Sequence, residues 1–173
     1  MKIISIFFIL SNFIFCDSNI WLSIGNDGKY EVSSIYGYYN DDDLKNTGVE
    51  LGYDYSFKKI NKLSFGPGLA YSFEPLSYKE YYSNIEIGFF SVYLFSDYWI
   101  NDKVSAKVIL GLGFPSHDGE DANRGLIYSL GLKYKISQKL FLGISYKTYN
   151  LSDEISEWKF SRLSIDIGSY NFK

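Results

Sequence analysis

The 173-residue sequence predicts an all-β fold: an eight-stranded antiparallel up-and-down transmembrane β-barrel that follows an N-terminal signal peptide. Three observations carry this reading. Large apolar residues alternate with small or charged ones along most of the chain. The segments between the alternating runs are short and long in turn. The composition, with 17 Tyr, 14 Phe and 15 Gly, suits strands, because aromatic side chains pack well on a pleated surface. With 46% apolar and 20% aromatic residues the chain is unlike a disordered one. One Cys excludes a disulfide framework, and one Cys with one His excludes a Cys/His zinc cluster. A net charge of −3 and a pI of about 5.2 leave no basic footprint for nucleic acid.

The N-terminal 1–16 reads as the signal peptide. Lys2 gives a positive start, Ile3 to Leu10 is apolar except for Ser5, and Phe13 to Phe15 extend the run. A small residue, Cys16, then leads into the polar Asp17, Ser18 and Asn19, which is the order of a secretory signal. The run falls short of the ~20 apolar residues a spanning helix needs. Cleavage is expected after Cys16 or as late as Ser18. Lipidation of Cys16 is the alternative, although Phe15 stands where a lipoprotein signal has a small residue. The remaining 17–173 forms one barrel domain.

Strict alternation marks a strand with one apolar face. In 48–57, Val49, Leu51, Tyr53, Tyr55 and Phe57 oppose Gly48, Glu50, Gly52, Asp54 and Ser56. In 62–73, Leu63, Phe65, Leu69, Tyr71 and Phe73 oppose Ser64, Gly66, Gly68, Ala70 and Ser72. The same pattern runs through 103–115, where Val108, Leu110 and Leu112 face away from Lys107, Ile109 and Gly111. It returns in 126–136 (Tyr128, Leu130, Leu132 against Ser129, Gly131, Lys133), in 139–150 (Leu142, Ile144, Tyr146 against Gly143, Ser145, Lys147) and in 159–172 (Leu163, Ile165, Ile167 against Arg162, Ser164, Asp166). Two strands are less regular. In 29–39 the alternation lapses at Ser34, and in 83–99 it changes phase near Phe89 and Phe90, which predicts a β-bulge. Residues 19–25 either pair as a hairpin through 26–29 or lengthen the first strand.

The connections 58–62, 100–103 and 137–139 are short; 40–47, 74–82, 117–125 and 151–157 are longer and polar. Short turns at one rim and long loops at the other describe a bacterial outer-membrane barrel, and an even strand count puts both chain ends on the short-turn, periplasmic side. On these features the chain resembles the small eight-stranded outer-membrane barrels of the protein A and protein X type. Phe172 resembles the aromatic residue near the end of such chains, although Lys173 follows it. The resemblance implies a bacterial outer-membrane location and a monomer.

The alternative is a secreted soluble β-sandwich or barrel, which would carry its apolar faces inward. The polar faces of this chain are mostly Gly, Ser and Ala, which suit the cramped lumen of an eight-stranded barrel better than a solvated exterior. Trp21, Trp99 and Trp158 fall near predicted strand ends, where interfacial aromatics belong. The lumen is expected to hold acidic Glu31, Glu50, Asp54, Glu86 and Asp166 against basic Lys107, Lys133, Lys135, Lys147 and Arg162. Equal numbers of each sign suit a self-neutralising plug, because an unpaired buried charge is costly. A general pore is therefore not expected.

No catalytic residue, metal ligand or cofactor is assigned. The one His, His117, lies in a loop with Ser116, Asp118, Glu120 and Asp121. The lipid A 3-O-deacylase barrels resemble this chain in size, and their motif has a Ser two residues after the His, then Asn, and a Glu about a dozen residues on. At those places this sequence has Gly119 and Ser129, and only Asn123-Arg124-Gly125 echoes the motif. A lipid-modifying enzyme of that kind is the alternative to a structural or surface-interaction barrel. The expected partners are outer-membrane lipid and an extracellular ligand or host surface met by the long loops. Tyr78, Tyr81 and Tyr82 are the loop candidates for contact, or else anchors in the headgroup layer. The acidic run Asp41-Asp42-Asp43 reads as a solvated loop tip.

Overall fold

The computed structural model describes residues 18–34, 36–37, 39–44, 47–57, 59–74, 87–116, 124–152 and 156–170. Its nine strands are β1 (Ser18–Ser34), β2 (Tyr39–Leu44), β3 (Gly48–Tyr55), β4 (Leu63–Glu74), β5 (Ile87–Trp99), β6 (Val104–Ser116), β7 (Gly125–Lys135), β8 (Leu140–Ser152) and β9 (Ser156–Tyr170). Each pairs antiparallel with its neighbour, and β1 pairs with β9 to close the sheet. β2 and β3 share one place in the wall. β2 pairs with the outer half of β1 and β3 with the inner half. The wall therefore has eight positions, as the alternation predicts.

The first strand differs from expectation in a way that shifts later side chains. Residues 19–25 lengthen it, so β1 starts at Ser18. Gly37, between β1 and β2, takes a positive φ of 81°, and the expected loop 40–47 is largely strand β2. Between Gly25 and Gly28 the β1–β9 register slips: Gly25 faces Ser164 while Gly28 faces Arg162. One extra residue in β1 forms a bulge, and it reverses which parity points inward. The bulge expected near Phe89 is absent, since β5 keeps continuous register with both β4 and β6.

The outward set is mostly large and apolar. Leu51, Leu69, Leu94, Leu110, Leu130, Ile144 and Ile165, among others, are exposed around the circumference. A soluble barrel would bury these and place its charges outside; this one does the reverse, as a lipid-facing wall requires. Tyr98 and Tyr134, near the short turns, are among the outward aromatics. The tryptophans are not. Trp21 is 3% exposed inside the barrel, and Trp158 packs against the interior cluster.

Small residues on the inner face make room for these rings. A Cβ at Gly52 would overlap the Trp21 ring, one at Gly68 the Tyr93 ring, and one at Gly168 the Phe141 ring. The lumen is thus filled by large side chains lying over glycines on neighbouring strands. Gly52→Val is expected to lower stability by about 1–3 kcal/mol through overpacking, whereas Leu51→Val on the lipid face should change it by less. Urea unfolding in lipid vesicles measures both.

The short turns are built locally. Asn101 Oδ1 accepts from the backbone N–H groups of Lys103 and Val104, and Ser137 Oγ accepts from those of Lys139 and Leu140. Such side-chain caps fix a turn without help from the rest of the fold.

Candidate functional site

The inner faces of β3, β5, β6, β7, β8 and β9 carry a buried band of charge. Lys107 lies 2.5 Å from Asp54, which also accepts from Trp21 Nε1 at 3.2 Å and from the Tyr93 hydroxyl at 2.9 Å. Lys147 lies 2.7 Å from Glu50 and 3.8 Å from Asp166, and the Tyr149 hydroxyl donates to Glu50 at 3.0 Å. Lys133 lies 2.6 Å from Asp97. The ammonium groups of Lys107 and Lys147 also sit 5.0 and 4.2 Å from the Trp21 ring, where a desolvated cation gains from the ring quadrupole. Arg162 is 4% exposed and lies over Gly25 and Gly48. Aromatic layers flank the band. Toward the loops Phe89 stacks on Tyr149 at 5.0 Å and tilts against Phe160 at 5.5 Å. Toward the turns Phe141 and Trp99 meet Tyr170 at 4.9 and 6.0 Å.

Of the charges the sequence assigns to the lumen, Glu50, Asp54, Lys107, Lys133, Lys147, Asp166 and Arg162 lie on this inner face, and Lys135 lies at its short-turn mouth. Glu86 falls outside the described residues. Glu31 is elsewhere. It pairs with Lys159 at 2.9 Å, and Lys159 neighbours the inward Phe160 in β9, so this pair points out of the barrel at the outer rim. The extra residue at the β1 bulge is the cause. Asp97 takes a place in the band that the alternation did not give it. The expected phase change at Phe89 hid it, because Phe89, Tyr93 and Phe95 all point inward and make the polar face look apolar. Trp21 was masked in the same way, by its position near a strand end.

The cavities differ in size along the barrel. Two beside the ion pairs measure about 10 Å³ each, no more than one water occupies. At the short-turn mouth a vestibule of about 180 Å³ is lined by Lys59, Asp97, Trp99, Lys135 and Tyr170, among others. At the outer ends of β1 and β6–β9 lies a cleft of about 520 Å³. Its wall includes Leu112 and Leu126 from the lipid-facing set, together with Arg124, Asn150, Glu157 and Lys159. Its polar rim is mixed, with Glu31 and Glu157 beside Arg124 and Lys159, and the Lys159 charge is met by Glu31.

Tyr78, Tyr81, Tyr82 and His117 fall outside the described residues. Ser129, at the place of the deacylase Glu, is 7% exposed on the inner face of β7, away from the lipid.

Solved structures with a similar fold include outer-membrane barrels. The Ail protein of Yersinia pestis is 20% identical in its crystal structure, with a TM-score of 0.52 over 87% of this chain and 98% of that one. In a phospholipid bilayer nanodisc Ail is 17% identical, with a TM-score of 0.53 over 90% and 99%. Neisserial surface protein A is 13% identical, with a TM-score of 0.51 over 88% and 96%. No curated protein matches the sequence. The closed wall and its apolar waist are those of a membrane-spanning β-barrel, and these structures share that fold. The family described as acyloxyacyl hydrolase, C-terminal domain, matches residues 17–162, and the chain belongs to it.

Proposed function

We propose that this barrel is closed to solute flow and works at its outer rim, as a structural or surface-interaction protein that meets membrane lipid and an extracellular ligand through its long loops and outer cleft. The contrast in cavity size carries the reading. Space beside the buried ion pairs is about 10 Å³, against about 520 Å³ in the outer cleft. A side chain that would have to move for an ion to pass is also a side chain whose partner would be left unpaired, which is costly. Purified protein in planar bilayers is expected to give no stable conductance. Large, reproducible steps defeat the closed barrel.

A second reading, hydrolysis of a lipid ester, is favoured by the family match and by the position of the cleft. Arg124 in its wall follows the loop that holds His117. Against it stand Gly119 and the inward Ser129, where a nucleophile and the group that orients its base belong. A general base contributes about 10²–10⁴-fold, so its loss is easy to see. Lipid A from cells making the native protein or His117→Ala is expected to have the same acyl composition by mass spectrometry. An acyl chain lost in the native cells and retained in the variant establishes the hydrolase instead.

A further inference from the structure

The vestibule at the short-turn mouth is assembled from five strands and two turns, and its polar groups are sorted by depth. Asn19 and Asp97 are 5% and 4% exposed. Each has a side-chain oxygen, Oδ1 in both, that is buried without a hydrogen-bond partner among the described residues, and the hydroxyl of Tyr170 is in the same state. Asp97 uses its other oxygen for Lys133. The deep wall therefore holds two acceptor oxygens and one hydroxyl in want of partners. The Trp99 ring, whose face attracts cations, lies beside it and is already 4.8 Å from the Lys59 ammonium. The mouth is the opposite. Lys59 is exposed and Lys135 half-buried, and neither has a carboxylate partner among the described residues.

We propose that this vestibule binds a small zwitterion from the periplasm, a molecule of the amino-acid or short-peptide class carrying one primary ammonium and one carboxylate. The ammonium supplies donors to Asp97, Asn19 and Tyr170, and the carboxylate lies toward Lys59 and Lys135. A lone anion would meet the Asp97 carboxylate at depth, and a lone cation would pass two lysines at the mouth. Only a ligand with both charges satisfies both ends. A volume of about 180 Å³ suits such a molecule, and the aromatic and ionic layers above it make the vestibule a dead end. This site lies at the opposite rim from the outer cleft and stands or falls independently of the proposed function.

The full chain refolded in detergent micelles is titrated with glycine, β-alanine and γ-aminobutyrate, and with n-butylammonium and butyrate as single-charge controls, by calorimetry and tryptophan fluorescence. At least one zwitterion is expected to bind saturably, and n-butylammonium and butyrate at least about ten-fold more weakly, since each lacks one charged hydrogen-bonding end. Lys59→Gln with Lys135→Gln should weaken the zwitterion about ten-fold and leave n-butylammonium no weaker. Asp97→Asn should weaken both. If loss of the Lys133 partner stops Asp97→Asn from folding, Tyr170→Phe removes one deep hydroxyl and is expected to weaken the zwitterion and n-butylammonium alike while leaving butyrate unchanged. Heat-dependent gel mobility reports folding of each variant. The proposal is overturned by no saturable signal from any of the three zwitterions, by n-butylammonium binding as tightly as its matched zwitterion, or by unchanged affinity in the folded lysine double variant.

Discussion

Asp54→Ala is expected to destabilise the folded barrel by about 3–5 kcal/mol, among the largest effects of any single substitution in the lumen. Asp54 is fully buried and serves three donors at once: Lys107, Trp21 and Tyr93. Truncation leaves a buried ammonium without its counter-charge, Trp21 Nε1 without its acceptor, and the Tyr93 hydroxyl with only the Leu69 carbonyl at 3.4 Å. The double variant Asp54→Leu with Lys107→Met tests the cause. Replacing both members of a buried pair by apolar residues is often neutral, so most of the loss should return. The remaining loss should be about 1–3 kcal/mol, because Trp21 Nε1 still lacks its acceptor and Tyr93 keeps only its longer bond to Leu69. Urea unfolding of all three proteins in vesicles provides the comparison. A double variant no more stable than Asp54→Ala would mean that the carboxylate acts through packing and not through charge.

The same residue shows what was legible in the sequence. Asp54 sits in a run of perfect alternation, so its inward direction followed from period two alone, as did those of Glu50, Lys107, Lys133 and Lys147. Wall closure and strand count followed from the same regularity, since each outward residue had to be large and apolar to meet lipid. Partner choice was not legible. Asp54 and Lys107 are 53 residues apart, and which charges meet depends on strand tilt and stagger. Inward aromatics were the other gap. Trp21, Tyr93 and Phe141 lie over glycines of adjacent strands, and on a single strand such a ring is indistinguishable from a lipid-facing one. That ambiguity concealed Asp97. The misplaced Glu31 has a separate origin: Asn26-Asp27-Gly28 reads as turn chemistry, yet β1 runs through it with a bulge. Period-two reasoning fails beyond any inserted residue.

Leu130→Arg tests the outward face with a comparable effect and an opposite logic. Leu130 is 65% exposed at the middle of β7. In water an exposed Leu is replaced by Arg at little cost. In a bilayer a midplane Arg on the lipid face costs about 2–4 kcal/mol, falling to about 0–1 near the interfaces. Ile136, 53% exposed just past the short-turn end of the same strand, is the internal control, since Ile136→Arg places the same charge beside the headgroups. Unfolding in vesicles should therefore separate the two variants by about 1–4 kcal/mol, and the gap should shrink in thinner bilayers as the midplane approaches the surface. Equal, small effects at both positions would mean that the apolar belt faces something other than lipid. The two lumen and wall experiments are complementary. Asp54→Ala harms the barrel because a charge is left alone where water is excluded by protein, and Leu130→Arg because one is placed where water is excluded by lipid. Only a barrel with charge inside and hydrocarbon outside is sensitive to both.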